Sequence, residues 1–243
     1  MSDVDTCLVI GASGAVGSAI ASRLQQAGYK LILTSTRLPP RKSENLAELQ
    51  SCEWRELDVA DYAQTNAIIS EVAQQSANRF HLAYCAGRLN DKPIAQLAPE
   101  DWHQVLTVNL HGAFYAVRAS FQKLAVGGAG RIVLISSISS HRAQSGQAAY
   151  SASKAGLEAL CRVAAVEFGR FGVTCNVVAS GPLEGGMMSN VRPAVVESLV
   201  ARTPLRRLGT PKDVGSVVEF LLSPRTRHIT GQTIMIDGGF TAC

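Results

Sequence analysis

Tyr150 and Lys154 stand four residues apart at the head of a strongly helical stretch, and Ser137 precedes the tyrosine by thirteen residues. Residues i and i+4 share one face of a helix, so the ammonium can sit within a few ångströms of the phenol. A free tyrosine, with a pKa of about 10, is a poor acid–base group near neutral pH. A neighbouring cation favours the phenolate and draws that pKa towards the range where proton transfer is efficient. Ser137 closes the apolar run Ile132-Val133-Leu134-Ile135, which has the composition of a buried parallel strand. A hydroxyl there can meet the Tyr–Lys pair at the mouth of a sheet. Tyr-x-x-x-Lys pairs also arise by chance in many helices; what distinguishes this one is its company.

The elements that must position these residues alternate. Short apolar strands are predicted at Cys7–Ile10, Lys30–Thr34, Glu53–Leu57, His81–Cys85, Arg131–Ser136, Val173–Val178 and Thr233–Ile236. Amphipathic helices fall between them, at about 15–27, 43–50, 61–77, 99–125, 150–170, 188–202 and 211–222. Thr210-Pro211 with Asp213 and Pro99-Glu100-Asp101 are helix starts, and Gly28 and Gly172 sit where helices should stop. Strand–helix alternation implies a Rossmann-type, doubly wound, parallel seven-stranded α/β sheet. No repeat, linker or low-complexity tract divides residues 1–243, so one domain is expected.

The first strand runs into Gly11-Ala12-Ser13-Gly14-Ala15-Val16-Gly17. Glycines there let the backbone pass close to a pyrophosphate, and a helix N-terminus favours its negative charge. A strand–turn–helix setting makes this a strong dinucleotide signal; the alternative is a tight turn that binds nothing. The second strand ends at Thr34-Ser35-Thr36-Arg37 without the acid that usually holds the ribose diol of NAD. Arg37 and the two hydroxyls suit a 2′-phosphate, which favours NADP(H) over NAD; a solvated arginine at a loop start is the plainer account.

Together the Tyr150-Ser151-Ala152-Ser153-Lys154 segment, Ser137 and the glycine turn resemble the short-chain dehydrogenase/reductase family over essentially the whole chain. Pro204-Leu205-Arg206-Arg207-Leu208-Gly209, Ile229-Thr230-Gly231-Gln232-Thr233 and Asp237-Gly238-Gly239 are similar to the 3-oxoacyl-(acyl-carrier-protein) reductases in particular. The resemblance implies that Tyr150 protonates a substrate carbonyl oxygen as hydride arrives from a nicotinamide. It implies that Lys154 holds the nicotinamide ribose and lowers the Tyr150 pKa, and that Ser137 positions the carbonyl. Asn109 matches the family's helix-kink asparagine, which holds a relay water; a buried amide satisfying a bent helix is the other account. Asp58-Val59 match an adenine-contacting pair, and a simple turn Asp is the alternative. Cys85, Ala86, Gly87, Gly181 and Leu183 complete the implied cofactor contacts.

Three departures from the family pattern stand out. Ala15 replaces a glycine of the first turn, and Gly14 occupies a place where many NADP-dependent relatives carry a basic residue. Tyr84-Cys85 replace the usual Asn-Asn, so a hydrogen-bond link to the central strand is expected to be missing; Cys85 reads as a small apolar cysteine before it reads as an oxidisable thiol. Ser180 and Gly185 replace the usual Pro and Thr in Ala179-Ser180-Gly181-Pro182-Leu183-Glu184-Gly185. The stretch Leu183–Thr203 is the expected substrate lid. His141 lies close enough to the site to touch substrate.

Totals set the remaining bounds. Net charge is +4 with both signs interspersed, so nothing argues for nucleic acid. The six cysteines are scattered without metal-ligand spacing, which predicts no metal site and fits reduced thiols in a cytoplasmic protein. No apolar run reaches the roughly 18 residues of a membrane span, and the acidic N-terminus is no signal peptide. The expected activity is NADPH-dependent reduction of a 3-oxoacyl thioester on an acyl carrier protein. A dehydrogenase of a free small alcohol, sugar or steroid is the second reading, and a cofactor-binding sensor without turnover is the third. Arg131, Arg162, Arg170 and Lys123 are candidates for a basic face towards an acidic carrier, with an ordinary solvated surface as the alternative. The family resemblance implies a homotetramer.

Overall fold

The computed structural model describes residues 4–38, 44–76 and 78–242. Seven parallel strands form one sheet in the order β3-β2-β1-β4-β5-β6-β7. They are β1 Thr6–Ile10, β2 Lys30–Ser35, β3 Glu53–Glu56, β4 Phe80–Tyr84, β5 Arg131–Ser137, β6 Thr174–Ser180 and β7 Thr233–Ile236. The chain builds outward from β1 to β3, then returns to β4 on the other side of β1. The order therefore reverses between β1 and β4, and the C-terminal ends of those two strands are the switch point at which open α/β sheets bind ligands.

Strand residues alternate between the two faces with a period of two. Leu8 and Ile10 join one buried cluster with Leu82, Ile132, Leu157 and Phe168. Cys7 and Val9 join the other with Ile20, Leu24, Val214 and Val218. Helices α2 (Tyr62–Gln75), α4 (Gly112–Gly127) and α5 (Ala148–Gly169) cover the first face; α1 (Ala15–Gln26) and α7 (Pro211–Leu222) pack together on the second. Both faces of β1, β4, β5 and β6 are thus buried, which is why they read as continuous apolar runs.

The start signals work as their chemistry demands. Thr210 Oγ1 accepts from the Asp213 amide at 3.2 Å while Asp213 Oδ2 accepts from the Thr210 amide at 2.7 Å, a reciprocal cap on α7. Gly28 takes φ +85° just past α1. Three expectations shift. The helix over 99–125 is two helices, α3 (Pro99–Leu106) and α4, joined by a π-helical turn over Thr107–His111. The region over 188–202 holds a 3₁₀ turn at Gly186–Asn190, then α6 from Pro193 to Arg202, because Pro193 is suited to the first helical turn. The stretch over 43–50 is a 3₁₀ segment, Glu44–Leu49, and positions 43 and 77 of the expected helices lie outside the described residues.

Candidate active site

Ser137 ends β5, and Tyr150 and Lys154 occupy the first two turns of α5, so the side chains meet where strand and helix diverge. The Ser137 hydroxyl lies close to the Tyr150 phenol and donates to Ser139 Oγ at 3.2 Å. Lys154 lies 4% exposed beneath them, with its ammonium 5.6 Å from the Tyr150 ring centroid. That ammonium donates to the Ile135 carbonyl at 2.7 Å, which fixes the side chain along β5. Burial pushes the Lys154 pKa down to about 8. Burial pushes Tyr150 up from its ordinary value, the Ser137 hydroxyl opposes this, and the Asp91 carboxylate adds to the rise. Desolvation dominates the balance at the phenol, and the Lys154 ammonium is directed at the Ile135 carbonyl.

The cradle for a dinucleotide is defined by what it cannot accommodate. A Cβ on Gly11, at φ +82°, would stand 2.6 Å from the Ala86 amide nitrogen. A Cβ on Gly17 would stand 2.3 Å from the Gly11 carbonyl oxygen. The turn after β1 is therefore pressed onto the end of β4. Gly14 caps α1 in an extended conformation with only its own turn nearby, which leaves its surface open. Ala15 and Val16 open α1, and exposed Ser13 accepts from the Ser35 hydroxyl at 3.2 Å, tying the turn to the end of β2. Exposed Arg37 follows two residues later. These features fit a nucleotide with its phosphates over the turn.

Other expected contacts separate into side-chain and backbone roles. Asp58 Oδ1 accepts from the Ala60 amide at 2.9 Å, so this carboxylate holds its own turn. Val59 is 5% exposed and packs in the core. Cys85 packs partly buried against one core cluster, and burial raises its thiol to about 12, in keeping with a small apolar cysteine. A Cβ on Gly87 would sit 3.7 Å from Lys154 Nζ and 3.8 Å from Asn109 Oδ1. Gly181 lies against Asp237, and its amide donates to the Ile236 carbonyl at 2.8 Å. Leu183 bridges to Gly209, and the Glu184 amide donates to the Gly209 carbonyl at 2.8 Å. Gly186 approaches the glycine turn: a Cβ there would stand only 3.2 Å from the Ala15 Cβ.

Asn109 is fully buried in the π-helical turn. Its Oδ1 accepts from the Arg88 amide at 2.7 Å, and its Nδ2 donates to the Arg88 carbonyl at 3.0 Å and to Ser153 Oγ at 2.9 Å. Both amide donors are committed within the protein, which is the bent-helix role. The expected loss of a link to the central strand is a correction: the Tyr84 hydroxyl donates to the Val108 carbonyl at 2.5 Å, so a longer side chain restores the tie between β4 and this turn. The basic face is also corrected. Arg131 is 4% exposed, with its guanidinium donating to the Ala129 and Gly130 carbonyls, while Arg162 and Arg170 remain exposed.

The chain matches the enoyl-(acyl carrier protein) reductase family over residues 11–241. It is a short-chain dehydrogenase/reductase. Such a member of the family is an oxidoreductase, and the family works with NAD(P)(H). The acetoacetyl-CoA reductase of Acinetobacter sp. is 34% identical over 98% of both chains. The 3-oxoacyl-(acyl-carrier-protein) reductase of Rickettsia conorii is 32% identical over 96% of this chain and 95% of its own. Among solved structures, a putative gluconate dehydrogenase from Agrobacterium tumefaciens superposes with a TM-score of 0.91 at 28% identity, covering 98% of this chain and 96% of its own. Among the described residues, no cluster has the composition of a metal site and no helix is long and apolar enough to cross a membrane.

Sequence reasoning missed the polar residues that support the site. Ser139 donates to Gln147 Oε1 at 2.8 Å, and Gln147 donates to Asp91 at 3.2 Å. Glu158, one helical turn beyond Lys154, is 4% exposed and receives three polar contacts. The i+4 step that singled out Lys154 from Tyr150 also reaches Glu158 from Lys154, so the signal was an acid in line with the pair.

Proposed function

We propose that this oxidoreductase reduces a 3-oxoacyl thioester to the 3-hydroxyacyl thioester with NADPH. The observation that carries the reading is the convergence of Ser137, Tyr150 and Lys154 beside a glycine-lined cradle. The bound nicotinamide supplies hydride to the carbonyl carbon. Tyr150 gives its proton to the carbonyl oxygen, and Ser137 holds that oxygen by a hydrogen bond that strengthens as negative charge develops. Burial favours the protonated phenol, the form that a proton donor requires. Lys154, next to Gly87, holds the nicotinamide ribose, and Asn109 fixes the backbone at residue 88 beside it. The turn 11–17 and residues 85–87 carry the dinucleotide backbone, with Asp58 and Val59 at the adenine end. The absence of an acid after β2, with exposed Arg37 there, supports NADP over NAD.

Residues 183–203 act as the substrate lid, with Gly181 and Leu183 at its base. The acyl group rides on an acyl carrier protein, docked on a surface that includes Arg162 and Arg170. Acetoacetyl-CoA is the second reading: it draws on the Acinetobacter relative and on the burial of Arg131, which leaves that surface less basic. A cytoplasmic homotetramer is the working assembly.

The test is NADPH oxidation, with NADH in parallel, by wild type and Tyr150→Phe, using acetoacetyl-CoA and an acetoacetyl carrier protein. Turnover that Tyr150→Phe lowers by about 10²- to 10⁴-fold establishes the chemistry. Preference for one thioester selects the carrier, and preference for NADH sinks the role given to Arg37. Binding without turnover removes the thioester reading.

A further inference from the structure

Glu158 is a buried carboxylate that the reaction above does not use. It lies on α5, 4% exposed, facing the end of β5 and the turn that follows. The Ser136 hydroxyl donates to its Oε1 at 2.9 Å, and the Ser140 hydroxyl approaches the same oxygen at 2.5 Å. His141 Nε2 meets Oε2 at 2.8 Å, and its ring is 43% exposed at the surface. Ser140 Oγ also stands 2.5 Å from the Ser137 carbonyl, and Ser136 Oγ stands 3.4 Å from the Lys154 carbonyl. A buried carboxylate is costly unless paired and hydrogen-bonded, and this one is held from both sides.

These contacts bear on the geometry of the reacting groups. Ser136 and Ser140 flank Ser137, one on the strand and one on the turn. Glu158 sits on the helix that carries Tyr150 and Lys154. One carboxylate therefore pins the element bearing the carbonyl-positioning hydroxyl to the element bearing the proton donor. We infer that Glu158 is a positioning residue that sets the placement of Ser137 against Tyr150 by tying β5 and the 138–141 turn to α5. His141, near enough to the site to be able to touch substrate, serves as the outer partner that keeps the carboxylate oriented.

This inference rests on the roles proposed for Ser137 and Tyr150, so its test includes a readout that needs no turnover. Wild type, Glu158→Gln, Glu158→Leu and the double variant Ser136→Ala/Ser140→Ala are compared. NADPH affinity is measured by fluorescence, steady-state kinetics with acetoacetyl-CoA, and the Tyr150 phenol by titration of the ¹³Cζ-tyrosine NMR signal, assigned with Tyr150→Phe. The expected result for Glu158→Leu is a tenfold or greater fall in kcat, NADPH affinity within about threefold of wild type, and a Tyr150 titration moved to higher pH. Glu158→Gln, which keeps an acceptor and the side-chain shape, should recover most of kcat. If Glu158→Leu fails to fold, the serine double variant carries the test and should show the same split. Wild-type kcat and an unmoved Tyr150 signal in folded variants overturn the inference, as does an equal loss of kcat and cofactor affinity. If wild type itself lacks turnover, the functional reading fails, and the NMR shift alone decides the positioning role.

Discussion

Two glycine-rich segments border the cofactor cradle, and they owe their glycines to opposite conditions. In the turn after β1, Gly11 and Gly17 are pressed against backbone, and an added Cβ would fall 2.6 Å and 2.3 Å from its nearest atoms. In the segment after β6, Gly185 takes φ +72° with nothing within 4 Å. The first segment is glycine because packing leaves no volume, the second because its backbone curls into the left-handed region in open space. Close packing predicts a fixed phosphate cradle, whereas an open segment can alter its path when a substrate arrives. The two still meet, at Gly186 and Ala15.

The sharpest challenge to this contrast is Gly17→Ala. Backbone cannot yield without moving α1, so the substitution should cost about 3 kcal/mol. For a chain of this size that lowers Tm by about 6–12 °C, measured by calorimetry, with weaker NADPH binding. A variant with wild-type Tm and affinity would remove the claim that the cradle is built by exclusion.

Next in size is Tyr84→Phe. It removes the hydroxyl that reaches the Val108 carbonyl and should cost about 1–3 kcal/mol in denaturant unfolding. Because the π-helical turn carries Asn109, kcat should fall as well; unchanged stability and rate would mean that the tie does nothing.

Lys154 sharpens the contrast by pH. Its pKa lies near 8, below the ordinary 10.5, because burial disfavours the ammonium. As pH rises through about 8 the folded protein releases this proton, and kcat/KM should fall with the cation. The sign for stability is opposite. Between 8 and 10.5 the unfolded chain keeps a proton that the folded protein has lost, so this group makes folding more favourable as pH rises. A kcat/KM profile flat through that range would show that the charge of Lys154 is immaterial.

The smallest effect belongs to Gly185→Ala, where nothing lies in the way and only the backbone, at φ +72° and ψ −166°, is strained, at a cost of about 1 kcal/mol, the low end for such conformations. Its Tm should stay within about 4 °C of wild type while the KM for the thioester changes. A loss as large as that of Gly17→Ala would erase the difference between the segments.

Much of this was legible in the residues themselves. Short apolar runs marked most of the parallel strands, the charged β3 being the exception, and local chemistry marked helix starts such as Thr210-Pro211 with Asp213, because these signals act over a few residues. The spacing from Tyr150 to Lys154 gave their shared face for the same reason. The resemblance marked a kink at Asn109, but the π-helical form of the turn at 107–111 was not legible, since its residues continue a helical pattern and the contacts with Arg88 and Tyr84 appear only in the fold. Arg131 looked like a surface cation; two of its carbonyl partners, Ala129 and Gly130, are its own neighbours, but its burial and the third partner, Gly172, come only with the fold.

What the sequence determined by itself is therefore the sheet, the glycine turn and the order along the chain of the residues proposed to react, all of which follow from periodicity and short spacings. What only the tertiary structure decided is how those residues are held and charged. The direction of the Tyr150 pKa depends on burial, the aim of Lys154 on the Ile135 carbonyl, and the clamp at Glu158 on serines from two elements. Desolvation and contacts between distant residues arise only when the chain closes on itself, and no local spacing encodes them.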